Sequence, residues 1–151
     1  MKAVEGLKGL KGLSILITAE NFFVHHYFSR LFAKRHHLRM TASGGDAINE
    51  LSQRRYDLVF VNEYLPDMGL TDMLAAIRRS RPDAKSLVML THREDENCLI
   101  TRHGAAGVMI KPFTIMDILR MADRVLPAGA SRDLFSEYAL RRYPVMPPDG
   151  L

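Results

Sequence analysis

Five short apolar runs, each followed by a stretch whose apolar residues recur at helical spacing, constrain this chain more than any other feature. The runs at 13–18, 57–62 and 86–91 are almost continuously apolar, as expected of strands covered on both faces. Those at 37–41 and 108–110 are weaker or shorter. Between the first two, Phe23, Val24, Tyr27, Phe28, Leu31 and Phe32 recur at helical spacing behind Asn21, a side chain suited to capping a helix. Gly44 and Gly45 break the second run, and residues 46–54 carry Ala47, Ile48 and Leu51 on an amphipathic turn and helix. Met73, Leu74 and Ile77 mark a third helix, and residues 94–103 a polar fourth stopped by Gly104. A fifth, capped by Thr114, carries Ile115, Ile118, Leu119, Ala122, Val125 and Leu126. Strands alternating with helices over short connections predict βα units on a parallel sheet, a doubly wound α/β fold. Ligands of such sheets sit outside the carboxyl ends of the strands, where the strand order reverses. The informative residues are therefore Ala19, Glu20, Asn62, Thr91 and Lys111.

At 151 residues, with 47% hydrophobic and 25% charged side chains, the chain suits one soluble globular domain and a short extension. The boundaries read as a lead-in at 1–11, a domain at 12–126 and an extension at 127–151. Within the extension, Leu134, Phe135, Tyr138 and Leu140 suggest a short helix over 131–143. No apolar run approaches the roughly 20 residues of a membrane-spanning helix. The first residues lack the apolar stretch of a signal peptide, and Cys98 is the sole cysteine, so a reducing, cytoplasmic setting is the expectation. The net charge of +4 comes from basic clusters at or near predicted helix ends, where cations complement the helix dipole. The pairs His25–His26 and His36–His37 have no cysteine or carboxylate cluster to complete a metal site and read as solvated surface residues.

The strand ends carry a more specific pattern. Ile15-Leu16-Ile17-Thr18-Ala19-Glu20-Asn21, Tyr56-Asp57-Leu58-Val59-Phe60-Val61-Asn62 with Leu65-Pro66, Val88-Met89-Leu90-Thr91, and Gly104-Ala105-Ala106-Gly107 with Lys111-Pro112-Phe113 follow in that order. Together they resemble the receiver domain of two-component response regulators over residues 12–126. The resemblance implies a flavodoxin-like sheet of strand order 2-1-3-4-5. It also implies a chemistry in which an aspartate attacks a phosphoryl donor, Mg²⁺ neutralises the oxygens, and a lysine and a hydroxyl contact the product. Matched residue by residue, Thr91 and Lys111 are kept and Glu20 supplies one member of the acidic pair. The other member is Ala19, the nucleophile position holds Asn62, and the position of the family's switch aromatic holds Val108.

An amide is a poor nucleophile, and two of three converging carboxylates are absent. One ion–ion contact near 4 Å is worth about 4 kcal/mol at an effective dielectric near 20. Weak or absent Mg²⁺ binding, no other cofactor and no catalytic activity are therefore expected. With Asn62 neutral, Glu20 is the carboxylate expected to meet the Lys111 ammonium. Glu63 is expected on the opposite face from Asn62, with Asp67 out in the loop.

The function implied is a phosphorylation-independent signalling module acting through protein–protein contact in a bacterial pathway. A histidine kinase or another response regulator is the implied partner. The family's interface of fourth helix, fifth strand and fifth helix would draw here on Arg93, Val108, Met109, Ile110 and Ile118, and could serve a homodimer. The competing readings are a conventional or residual Mg²⁺-dependent phospho-receiver and a basic domain binding nucleic acid, the latter disfavoured.

Overall fold

The computed structural model describes residues 12–32, 36–92 and 96–127. Its elements are β1 (Ser14–Thr18), α1 (Phe22–Phe32), β2 (His37–Thr41), α2 (Gly44–Gln53), β3 (Leu58–Asn62), α3 (Leu70–Ser80), β4 (Lys85–Leu90), α4 (Glu96–Thr101), β5 (Gly107–Ile110) and α5 (Ile115–Val125). The five strands form one sheet in the order β2-β1-β3-β4-β5, and every neighbouring pair is parallel. The fold is thus the doubly wound, flavodoxin-like one expected. The order reverses beside β1 and β3, so their carboxyl ends flank the crevice.

The apolar strands are covered on both faces, and alternate residues divide between them. Ile15, Ile17, Leu58, Phe60, Leu87 and Met89 pack with α1 and α5 in the largest core cluster. Their neighbours Leu16, Val59 and Val61 pack with Ala47 and Leu51 of α2 and Met73 and Ile77 of α3. Val88 and Leu90 meet Leu74, Leu99, Ala105 and Val108 on the α3–α4 side. The Phe28 and Phe60 rings lie 4.7 Å apart at the centre of the first cluster. Each large apolar side chain so enclosed contributes roughly 1.5–3 kcal/mol relative to exposure.

Two caps agree with the sequence. Asn21 Oδ1 accepts the Phe23 N–H at 2.7 Å, and Thr114 with Asp117 forms a reciprocal capping box at the start of α5. The glycine pair differs: Gly44 and Gly45 do not end β2 but open α2. Ser43 caps that helix by accepting from Asp46 N, and the Asp67 carboxylate accepts both glycine N–H groups at 2.8 Å. A Cβ on Gly44 would sit 2.5 Å from Met68 Sδ, so glycine is what lets the loop lie against the helix end. His36 is a second departure, buried at 8% exposure with Nδ1 accepting the Leu13 N–H at 3.0 Å. Phe32 packs edge-on against its imidazole. The expected helix over 131–143 and the partner residue Arg93 lie outside the described residues. No helix among the described residues is long and apolar enough to cross a membrane.

Candidate functional site

Four of the five strands deliver the predicted residues to one edge of the sheet. Ala19 follows β1, fully buried, with its N–H donated to Thr41 O at 3.0 Å, and Glu20 beside it is exposed. Asn62 ends β3, Thr91 follows β4 and Lys111 follows β5. The Lys111 backbone N–H donates to Leu90 O at 2.8 Å, which pins the lysine to the exit of β4.

The ammonium of Lys111 turns inward. The residue is 6% exposed, and Nζ donates to Asn62 Oδ1 at 2.8 Å. A buried ammonium needs acceptors, because desolvation without them costs several kcal/mol. The Asn62 amide oxygen supplies one, a contact expected from sequence to come from Glu20. A hydrogen bond to a charged group contributes about 1.5–3 kcal/mol net. The amide therefore anchors the lysine while offering no attacking lone pair of carboxylate strength.

Thr91 is held by a side chain the sequence reading set aside. Glu63 Oε1 accepts from Thr91 Oγ1 at 2.7 Å and from Thr91 N at 3.0 Å. Glu63 N itself donates to Met89 O at 3.1 Å, continuing the β3–β4 ladder one residue past Asn62. Glu63 does differ in direction from Asn62, but that direction leads to the exit of β4. The available signal was the register: Asn62 pairs with Met89, which places Glu63 next to the end of β4.

Apart from the exposed Glu20 carboxylate, the oxygen donors at these strand ends are absent or engaged within the protein. Mg²⁺ favours carboxylate and phosphate oxygens. Here Ala19 offers none, Asn62 Oδ1 faces an ammonium, and Glu63 Oε1 is engaged by Thr91. Among the described residues no group of three His, Cys, Asp or Glu side chains is placed to hold a metal ion.

Beside the site, Val108, Met109 and Ile110 line a groove of about 280 Å³ whose other side carries Asp117, Arg120, Met121 and Arg124 of α5. Of the residues expected to meet a partner, Ile118 is fully enclosed in the core, and Val108 and Met109 are 5% and 4% exposed. The residues left uncovered on this face are Ile110 and the α5 residues Arg120, Met121 and Arg124, which sequence periodicity gave no reason to single out. Val108 belongs to an aliphatic cluster with Leu74, Val88 and Leu99.

Titration is perturbed away from the site. Burial, reinforced by the Asp117 carboxylate, pushes the Tyr27 phenol up to about 12. Tyr56 is also raised, by burial and by its 2.6 Å hydrogen bond to Glu50. Burial and the neighbouring Arg54 guanidinium lower His37.

A family profile described as the response regulator receiver domain matches residues 15–123. The luminescence regulatory protein LuxO of Vibrio campbellii is 34% identical over 76 residues, which are 50% of this chain and 17% of LuxO. The chain thus spans less than a fifth of that relative's length. Among solved structures, the chemotaxis response regulator CheY4 of Vibrio cholerae superposes with a TM-score of 0.68 at 20% identity, covering 76% of this chain and 98% of CheY4. The receiver domain of the sensor histidine kinase PA1611 from Pseudomonas aeruginosa, which holds a magnesium ion coordinated in its active-site cleft, gives 0.67 at 17% identity, covering 76% and 97%. At these identities the structural likeness is one of fold.

Proposed function

Because the chain belongs to the response regulator receiver domain family, we propose that it works in two-component signalling without being phosphorylated, as a module read through protein contact. The observation that carries the reading is the Lys111–Asn62 hydrogen bond of 2.8 Å. In it an amide stands where phosphoryl transfer depends on a carboxylate, and that amide accepts from the lysine. The buried Ala19 methyl supports the same reading, since it removes a metal-ligand oxygen from the site. The module is not an enzyme on this view, and Mg²⁺ binding is weak or absent. Its partner is a signalling protein, a histidine kinase or another response regulator, with a second copy of this chain as a further candidate. The groove between β5 and α5 is the contact face, where Arg120 and Arg124 favour a partner carrying acidic groups.

The test is direct. The full chain is incubated with acetyl phosphate and MgCl₂, and its intact mass is measured at neutral pH. We expect no phosphoryl adduct. An adduct that hydroxylamine removes would mean that a carboxylate elsewhere accepts phosphate, and would sink the reading.

A further inference from the structure

The end of β3 places two adjacent side chains in two different ties. Asn62 reaches the exit of β5 through Lys111, and Glu63 reaches the exit of β4 through Thr91. The second tie has no counterpart in the proposed function, and its geometry is specific. One carboxylate oxygen, Oε1, accepts both the hydroxyl at 2.7 Å and the backbone N–H at 3.0 Å of the same residue. Both partners are half-buried, where hydrogen bonds to a charged acceptor are stronger than on an open surface. The carboxylate is itself fixed, because the Glu63 backbone is tied to Met89 O.

Thr91 begins the connection to α4, and α4 is lightly attached. It runs for six residues, and among its described side chains Leu99 is the buried one while Ile100 is 39% exposed. Leu99 packs with Leu74, Val88, Leu90, Ala105 and Val108. A helix this short contributes little of its own stability. Its position therefore depends on Leu99 and on whatever holds its entry.

We infer that Glu63 is a built-in anionic clasp: by gripping Thr91 at its hydroxyl and amide it fixes the exit of β4, from which the chain leads on to α4, and so steadies the α4 side of the molecule without any added anion. The signalling consequence rests on the proposed function, because it makes α4 part of a surface that partners read in a constant form. The clasp itself does not. An anion arriving beside Lys111 meets a Thr91 whose hydroxyl and N–H are already donated, and can recruit it only by displacing Glu63.

Segment-resolved amide hydrogen exchange on the full chain tests the clasp, comparing wild type with Glu63→Ala and Glu63→Gln. The expected result is exchange at the Thr91 amide roughly ten- to a hundredfold faster in Glu63→Ala, spreading to the amides of α4. Protection of Ile15, Leu16 and Ile17 in β1 should stay unchanged. Glu63→Gln keeps an acceptor oxygen and should show a smaller acceleration, which covers the case in which the alanine variant folds poorly. Unchanged exchange at Thr91 and α4 in both variants would overturn the inference. So would an equal loss of protection in β1, which would make Glu63 a general stabiliser. Acetyl phosphate labelling of the same wild-type sample keeps the two ideas apart. An adduct there removes the proposed function and leaves the clasp standing, and unaltered exchange does the reverse.

Discussion

At the scale of single residues, the site shows how little a substitution's chemistry says about where its neighbours turn. That Asn62 cannot act as a phosphoacceptor follows from its amide alone. That Lys111 donates to this amide follows only from the 2.8 Å contact, since sequence does not give the direction of a long, flexible side chain. Tyr27 offers the sharpest residue-level test. It is 3% exposed, and its hydroxyl has no hydrogen-bond partner among the described residues. A buried hydroxyl without a partner costs about 1–3 kcal/mol, so Tyr27→Phe should leave stability at pH 7 unchanged or raise it. The pH dependence has a definite sign. The folded phenol ionises at about 12 against an ordinary 10.0, raised by burial and then by Asp117. A raised value gives stability that is whole below pH 10.0 and is lost as pH climbs towards 12. Urea unfolding of both proteins should therefore show the phenylalanine variant gaining roughly 3 kcal/mol on wild type across that interval. A constant difference would mean that Tyr27 is solvated in the folded state.

At the scale of elements, the starts of α1 and α5 were legible because their caps are local. Asn21 and Thr114 each reach an N–H two or three residues on, and a local contact is written in the spacing. The start of α2 was not, because half of its cap comes from the loop after β3, more than twenty residues away. Gly44 and Gly45 read as a strand breaker until Asp67 is seen to accept both of their N–H groups. Those two hydrogen bonds hold the Asp67 carboxyl below the usual carboxylate range. Its contribution should accordingly be present above the ordinary carboxylate value and fade as pH falls through the lowered one. Asp67→Ala is expected to lower the melting temperature at pH 7 and to bring the loop after β3 into faster exchange. The gap from wild type should close as pH falls through that lowered value. Equal melting temperatures at pH 7 would show that Ser43 caps the helix unaided.

At the scale of the whole molecule, the sheet order and the division of its faces were legible from residues such as Ile15, Leu16 and Ile17. A continuous apolar run forces burial on both sides, and parallel connection then allows few topologies. The uncovered face beside β5 and α5 was less legible, because periodicity marks which residues are apolar and not which are left uncovered. Ile118 fits the helical pattern so well that it lies wholly inside, whereas Arg120, Met121 and Arg124 line the groove. The same accounting bears on where the folding unit ends. The alternating pattern ends its last βα unit with α5, which closes the described core through Ile115, Ile118, Leu119 and Ala122. A chain cut after Pro127 should therefore unfold in a single cooperative transition, within a few degrees of the full chain's midpoint. Thermal melts followed by far-ultraviolet circular dichroism, with calorimetry on both chains, measure this. A drop of more than about 10 °C, equivalent to more than 1 kcal/mol for a domain of this size, would place part of the stabilising core in residues 128–151. A matching midpoint would leave those residues free for partner contact and assign the stability to the βα units alone.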